Sequence, residues 1–150
     1  MRFVIQRVTH GSVTVEGNVV GSIGQGLVVL VGVGQGDTES IAVRMVEKML
    51  GLRIFADEAG KMNLSVTDIG GELLMISQFT LYADCRKGRR PSFIAAGEPA
   101  IAQSLFQFCI ERVSASGLKT ASGIFAADMQ VSLNNDGPVT IVLDSDELGL

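Results

Sequence analysis

The sequence predicts a single α/β domain with a layered β/β/α arrangement, in which β-rich mixed sheets are combined with two long helices. Three observations support this prediction: the first 34 residues have the pattern of strands, two segments have helical periodicity, and short β-branched segments follow near the end. A chain of 150 residues has the size of one domain and is long enough to bury a core. Because no linker or repeat divides it, we assign residues 1–150 to one domain.

The amino-terminal part of the chain predicts four strands. A break between the first two is expected at Thr9-His10-Gly11, and Gly17-Asn18 is typical of a tight turn before the third. The fourth segment is almost entirely apolar, which is typical of a strand buried on both faces. The four predicted strands are Phe3–Val8, Ser12–Val15, Val19–Ile23 and Leu27–Val33.

Two amphipathic segments predict the helices. Asp37 is a candidate N-cap for a helix that runs to about Leu50. A second helix is expected to begin near Glu98-Pro99, because proline is tolerated in a first turn, and Gly117 suits its carboxyl end. The predicted buried face of this second helix holds Ile101, Leu105, Phe108, Cys109 and Val113. The remaining strands are predicted at Arg53–Ala56, Glu72–Leu81, Lys119–Ser122, Met129–Leu133 and Val139–Leu143.

The composition argues against several classes of protein. The longest apolar stretch, Leu27–Val33, is shorter than the roughly 20 residues of a membrane span, and the first residues lack the apolar segment of a secretion signal. We therefore expect a cytoplasmic protein with no membrane partner. Two cysteines, Cys85 and Cys109, support neither a disulfide framework nor a multi-cysteine metal site. The mean hydropathy of +0.36 favours some apolar surface buried between subunits.

The charge is acidic overall but has one basic concentration. A net charge of −4 argues against a nucleic-acid partner when it is taken alone. However, Arg86, Lys87, Arg89 and Arg90 place four of the 12 basic residues within five positions. A run of this kind is usually a solvated loop, and phosphate binding is the alternative.

The sequence contains no pattern typical of a catalytic triad or a metal site. The single histidine, His10, falls in a predicted turn, so a Ser-His-Asp or Cys-His triad elsewhere is not supported. No segment has the spacing of metal ligands, and the glycine-rich segment at 32–36 lacks the lysine of a phosphate-binding loop. We therefore expect no metal and no cofactor.

Two polar segments remain as candidates. Ser77-Gln78-Phe79-Thr80-Leu81 ends a predicted strand and brings two hydroxyls and an amide close to backbone N–H groups. Its simplest interpretation is a strand whose hydroxyls bond to neighbouring backbone. Asn134–Thr140 reads as a hairpin turn, in which Gly137 relieves the steric limits that Pro138 places on the residue before it.

Taken together, SQFTL at 77–81 and NDGPVT at 135–140 resemble the two signature motifs of D-aminoacyl-tRNA deacylases of the bacterial and eukaryotic type. The resemblance covers nearly the whole chain, because further family-like segments occur in order. They are QRV at 6–8, LRIF at 52–55, GKMNL at 60–64, YAD at 82–84, RKGRRPSF at 86–93 and ADM at 127–129. The chain departs from the family at Gly11, Cys85 and Ala126, where alanine, threonine and glycine are usual, and all three lie outside the signature motifs.

The resemblance implies hydrolysis of the ester that joins a D-amino acid, or glycine, to the terminal adenosine of tRNA. The implied catalytic segment is Ser77, Gln78, Phe79 and Thr80, whose backbone N–H groups would form an oxyanion site. The 2′-hydroxyl of the terminal ribose would help to activate water. Thr80 is the alternative nucleophile, but its hydroxyl needs an adjacent base, and the sequence offers no clear candidate.

The resemblance also implies a homodimer. Gly137-Pro138, joined by a cis peptide bond, would enter the partner subunit's site and reject L-aminoacyl groups, and Met129 would contribute to substrate binding. Arg86, Lys87, Arg89 and Arg90 would hold tRNA, and DNA is not expected as a partner. Three other functions stay open: a non-catalytic tRNA-binding module, a general small-ester hydrolase that uses Thr80, and a purely structural homodimer.

Overall fold

The computed structural model describes residues 1–150, which form eight strands, two α-helices and one short 3₁₀ helix. The strands are β1 (Arg2–Val15), β2 (Asn18–Ile23), β3 (Gly26–Gly32), β4 (Phe55–Ala56), β5 (Met62–Leu64), β6 (Glu72–Ser77), β7 (Thr120–Ser122) and β8 (Gln130–Asp144). The helices are α1 (Glu39–Leu50) and α2 (Pro99–Ser114), and the 3₁₀ helix is Phe79–Tyr82. The predicted α/β class is confirmed. Neither α-helix combines the length and the apolar composition needed to cross a membrane.

Six strands form the main sheet, in the order β2-β1-β3-β6-β7, and β8 pairs with β1. The β3–β6 and β6–β7 pairs are parallel, whereas β1 pairs antiparallel with β2, β3 and β8. Strands β4 and β5 form a separate two-stranded sheet. The sheet is therefore mixed, as the sequence predicts.

Strand β6 of the main sheet is buried on both of its faces. One face packs against both helices, and its core includes Leu73 and Met75 of β6. The alternate residues of the same strand, Leu74 and Ile76, belong to a second cluster, against which Val131 of β8 packs. Because successive side chains of a strand point to opposite faces, β6 lies between a helical layer and a second β layer. This arrangement gives the layered β/β/α architecture.

The predicted break at Thr9–Gly11 is wrong, because β1 is continuous. Its first half pairs with β3 and its second half with β2, while β8 runs along both halves. His10 therefore lies exposed on a strand opposite Asn134 and not in a turn. The next residue of the strand is Gly11. Glycine suits position 11 because a Cβ there would come within 2.7 Å of the Val28 side chain.

The predicted hairpin turn at Asn134–Thr140 is also wrong, because these residues belong to the continuous strand β8. Val8 pairs with Asn135 and Gln6 with Thr140, so Arg7 alone stands opposite residues 136–139. Those four residues form an excursion from the strand, which we call the 136–139 bulge. Bulges of this kind reorient side chains while the ladder continues on both sides.

Four smaller predictions also need correction. The strand expected to run to Leu81 ends at Ser77, and the one expected from Arg53 begins at Phe55 and pairs with β5, which was not predicted. Thr38, not Asp37, caps α1 by accepting from the Ile41 N–H. Ile101, expected in the core, is 56% exposed. In contrast, Cys109 is buried as expected, and burial raises the pKa of its thiol to about 12.

Asp37 instead occupies a buried polar cluster. Its carboxylate accepts from the α-ammonium of Met1 at 2.6 Å and from the Gly34 N–H at 2.6 Å. The same ammonium donates to Ser145 Oγ at 2.6 Å. These contacts join the start of β1 to the segment that follows β3 and to the end of β8.

Glu72 provides an acid-sensitive contact at the start of β6. Its Oε2 accepts from Lys119 Nζ at 2.9 Å and from the Gly24 N–H at 2.8 Å, and both bonds lower the pKa of this carboxyl group. A lowered folded-state pKa contributes stability above the unfolded-state pKa of about 4.3, and this contribution is lost as the pH falls through the folded-state value. We expect Glu72→Gln to lower the free energy of unfolding at pH 7, with a smaller difference at pH 3.

Urea unfolding of both proteins at the two pH values measures this effect. Glu58→Gln, at an exposed residue of the same charge, is the matched control and should be neutral. An equal loss for Glu72→Gln at pH 7 and pH 3 would mean that the ionised carboxylate contributes nothing.

Candidate active site

The candidate site begins where β6 ends. Ser77 is the last residue of the strand, and the N–H of the next residue, Gln78, donates to the Val31 carbonyl of β3 at 2.8 Å. The 3₁₀ helix then turns the chain, and Leu81 N–H bonds back to the Gln78 carbonyl at 3.2 Å. The first N–H groups of a helix lack intrahelical acceptors. In the 3₁₀ helix, the first two N–H groups are those of Phe79 and Thr80.

An apolar pocket of about 470 Å³ opens beside this segment. Its residues come from the end of β6, the loop before α2, the first turn of α2 and the segment that leads into β8. They are Ile76, Ser77, Gln78, Phe79, Ala96, Gly97, Pro99, Ala102, Phe125, Ala126, Ala127, Met129 and Val131. The polar groups are thus confined to the 77–78 edge of an otherwise apolar wall. We call this cavity the main pocket.

The structure brings four of the predicted site residues together, because Ser77, Gln78, Phe79 and Met129 all line the main pocket. Thr80 does not line it, and its hydroxyl accepts from the Gln78 carboxamide. Phe79 is 59% exposed and meets Phe93 edge-on, with ring centroids 5.0 Å apart.

The small residues that open the main pocket were not predicted. Ala96, Gly97 and Ala102 carry no chemical signal in the sequence, and only folding shows that they line the same pocket as Ser77. Gly123 was not predicted either. A Cβ at this position would overlap Met129 Sδ. Ala126 has a φ of +61°, which explains why glycine suits this position in the family that the sequence resembles.

No side chain near Thr80 has the properties of a general base. His10 bonds to its neighbour Thr9 on β1, in the part of the strand that faces Asn134. Burial raises the pKa of the Tyr82 phenol, so this group stays protonated at neutral pH. The only polar side chain bonded to Thr80 is the neutral amide of Gln78. The geometry therefore does not support an activated threonine.

Arg2 holds the 3₁₀ helix in place. Its guanidinium donates to the Leu81 carbonyl at 3.0 Å and to Asp144 Oδ2 at 2.6 Å. It also lies 4.6 Å from the centre of the Tyr82 ring, within the range of a cation–π contact. Arg2 thus ties the helix after Ser77 to the end of β8.

The second signature segment forms the 136–139 bulge and lies outside the main pocket of its own chain. The Asn135 side chain closes the bulge by accepting from the Val139 N–H at 2.7 Å and donating to Thr140 Oγ1 at 3.2 Å. Arg7 supports it from β1 by donating to the Asp136 carbonyl at 3.0 Å. Gly137 and Pro138 are joined by a cis peptide bond and are exposed at the tip.

The basic run forms a loop closed at its base. Asp84 and Ser92 exchange backbone hydrogen bonds of 2.7 and 2.9 Å, and residues 85–91 project beyond them. Arg86 folds back onto Asp84 at 2.7 Å, and this hydrogen bond lowers the pKa of Asp84 to about 2. Lys87, Arg89 and Arg90 are exposed and form no ion pair within the chain. Three cationic groups are therefore free to bind an external anion.

Comparison with known proteins points to the same family as the two signature motifs. The family model described as D-Tyr-tRNA(Tyr) deacylase matches residues 4–144. The D-aminoacyl-tRNA deacylase of Desulfitobacterium hafniense strain DCB-2 is 59% identical over 147 residues, which cover 98% of this chain and 99% of the relative. The D-aminoacyl-tRNA deacylase of Myxococcus xanthus is 58% identical over 145 residues, with 97% and 95% covered.

Two solved structures share the fold. A structure of the "c-Myc DNA Unwinding Element Binding Protein" superposes with a TM-score of 0.90 at 42% identity and covers 96% of this chain and 98% of its own. A probable eukaryotic D-amino acid tRNA deacylase superposes with a TM-score of 0.82 at 17% identity, covers 95% of this chain and 97% of its own, and supports the fold alone. From the family match and the near full-length identities, we conclude that this chain belongs to the D-aminoacyl-tRNA deacylase family of hydrolases.

Proposed function

We propose that this enzyme hydrolyses the ester bond of D-aminoacyl-tRNA and glycyl-tRNA in the cytoplasm, where translation supplies these substrates, and releases the free amino acid and tRNA. One observation carries the proposal: Ser77, Gln78 and Phe79 place the start of a 3₁₀ helix at the edge of an apolar pocket. A pocket of this volume suits a small ligand, and the polar edge suits the group that reacts.

In the proposed mechanism, the ester carbonyl oxygen faces the N–H groups of Phe79 and Thr80. Water attacks the carbonyl carbon, and these donors stabilise the negative charge that develops on the oxygen. The bond between the carbonyl carbon and the ribose oxygen then breaks. Because no side chain near Thr80 has the properties of a general base, the free 2′-hydroxyl of the terminal ribose assists proton transfer. The protein contributes position and electrostatic stabilisation.

We propose that the enzyme acts as a homodimer, in which Gly137 and Pro138 complete the partner's pocket. Two observations support this. The tip of the 136–139 bulge is exposed and does not line its own main pocket. On the same strand, β8, the side chain of Val142 is 62% exposed. Val142 pairs with Val4 of β1, and the two side chains form an apolar surface suited to self-association.

The proposed selector works by excluding L side chains. Enantiomers carry the same groups, so discrimination depends on where those groups are forced to point. A rigid bulge in the space that an L side chain needs rejects it and leaves D substrates free to bind. We expect purified enzyme to cleave D-aminoacyl-tRNA and glycyl-tRNA and to leave matched L-aminoacyl-tRNA intact. Similar rates on D and L substrates, or no reaction with glycyl-tRNA, would contradict exclusion.

A mixed dimer tests whether the bulge acts across the interface. One subunit carries Gly137→Ala, where a Cβ would come within 2.8 Å of the Val139 side chain, and the other carries the pocket-blocking Ala127→Phe. If the bulge serves the partner, both lesions fall in one composite pocket and the other pocket stays intact. We expect this mixed dimer to keep about half of the wild-type activity on the D substrate and to leave L-aminoacyl-tRNA intact. If each bulge served its own pocket, the unblocked pocket would have the damaged bulge, and L-aminoacyl-tRNA would be cleaved.

We propose that Arg86, Lys87, Arg89 and Arg90 hold the tRNA backbone. Phosphate contacts dominate nucleic-acid affinity and depend on salt. We expect Arg89→Glu combined with Arg90→Glu to weaken tRNA binding and to reduce the slope of log Kd against log salt by about one for each phosphate that is no longer bound. Lys48→Glu, an exposed charge reversal on α1, is the matched control. Unchanged binding of the double variant would place the tRNA-binding surface elsewhere.

A deacylation assay that compares D- and L-aminoacyl-tRNA separates the alternatives. A non-catalytic tRNA-binding module would bind charged tRNA without turnover, and a general ester hydrolase that uses Thr80 would cleave simple esters and ignore the tRNA. The name of one structural relative refers to DNA binding, so a DNA duplex of matched length belongs in the binding series. We expect tRNA to compete more strongly than the duplex.

A further inference from the structure

A second cleft lies next to the main pocket, between α2 and the segment after β7. Its volume is about 420 Å³, and we call it the α2 cleft. Gln103, Ser104 and Gln107 line it from the helix, and they share one helical face because residues three and four positions apart are neighbours. Ser122 and Phe125 form the opposite wall.

The two cavities share a wall. Phe125 lines both of them, and its ring lies 6.2 Å from that of Phe106, which belongs to the α2 cleft. Gly123 of the α2 cleft lies directly against Met129 of the main pocket, because a Cβ at Gly123 would overlap the Met129 sulfur. A ligand that extends from the main pocket past Phe125 therefore reaches the α2 cleft.

The lining of the α2 cleft is polar but carries no charge. Its polar side chains are amides and hydroxyls, and its floor is apolar. Gln107 donates to Glu111 at 3.1 Å, which leaves its carbonyl oxygen free to accept, and Gln103 makes no side-chain hydrogen bond. Amides offer both donors and acceptors, as base edges do, whereas a phosphate would call for cations.

We propose that the α2 cleft binds the base of the penultimate nucleotide of the tRNA, a cytidine in the CCA end that all tRNAs share. This inference rests on the proposed function, which places the terminal aminoacyl-adenosine in the main pocket. Unpaired RNA bases are recognised through hydrogen bonds to their edges and by contact with aromatic rings. Gln103 and Gln107 supply the hydrogen bonds, and Phe125 supplies the ring. These residues are binding residues that position the substrate.

Three substrates of increasing length test the proposal: D-aminoacyl-adenosine, the D-aminoacylated CpA dinucleotide and D-aminoacyl-tRNA. For the variant Gln103→Ala/Gln107→Ala we expect kcat/KM to fall about five- to thirtyfold on the dinucleotide and on tRNA, the effect of losing one or two neutral hydrogen bonds. On D-aminoacyl-adenosine the variant should match the wild type. Ser114→Ala, at an exposed position of the same helix, is the matched control and should change none of the rates.

A dinucleotide that lacks the penultimate base should lower the wild-type rate by a similar factor, and it should cause no further loss in the double variant, because both changes remove the same interaction. Equal loss on all three substrates, or no loss on any, would overturn the proposal. A wild-type enzyme that is inactive on every D-aminoacyl substrate would instead reject the proposed function.

Discussion

A D-aminoacyl-tRNA whose terminal ribose lacks the 2′-hydroxyl should be deacylated about 10²–10⁴-fold more slowly than the normal substrate, the usual contribution of a positioned proton-transfer group. The structural reason is the environment of Thr80. Its hydroxyl bonds only to the neutral Gln78 amide, and the half-buried Tyr82 phenol stays protonated. A reaction without a protein base depends on the substrate for this step. Single-turnover rates on the two substrates measure the loss.

The companion variant is Thr80→Ala, which should keep substantial activity on the normal substrate. A threonine nucleophile would predict the opposite pattern: loss of activity on Thr80→Ala and a covalent acyl-Thr80 adduct that can be trapped. Recovery of that adduct from a quenched reaction would contradict RNA-assisted catalysis.

Asp37→Asn should lower the free energy of unfolding by about 3–5 kcal/mol, the cost of removing one partner from a buried ion pair. The Asp37 carboxylate lies 2.6 Å from the α-ammonium of Met1, and the side chains of both residues are almost completely buried. The substitution keeps the size of the side chain but leaves the ammonium without its counter-charge. Equilibrium unfolding in urea measures the change.

The control for this prediction is an ion pair at the surface. Glu47 lies 3.8 Å from Arg112, and both side chains are largely exposed, so Glu47→Gln should cost less than about 1 kcal/mol. Similar losses for the two variants would show that burial does not set the strength of the Asp37 contact.

The sequence alone predicted the parts of the fold that depend on local pattern. Apolar periodicity placed both helices, and the continuous apolar run at 27–33 predicted the buried strand β3. The two signature motifs predicted the family, and the family match confirms it. Such features are readable because periodicity and motif spacing are local properties of a chain.

Two turns predicted from the sequence were wrong because strands that lie far apart in the chain pair with each other. Thr9–Gly11 and Asn134–Thr140 both look like turns, yet each lies in a long strand because β1 and β8 pair along their lengths. A glycine or proline marks a turn only when no partner strand holds the backbone extended. Both errors thus have one cause, since β1 and β8 are each other's partner strand and neither pairing can be read from one segment alone.

The tertiary structure also decided the shape of the site. The motifs identified Ser77 and Met129, but their shared pocket depends on Ala96, Ala102 and Phe125, which come from separate parts of the chain. Small apolar residues have no chemical signature, and their effect is to leave space where larger side chains would fill it. The sequence by itself determined the family and predicted the residues at the polar edge of the candidate site. Packing between distant segments determined the cavity, because empty space is a property of the assembled walls and not of any one residue.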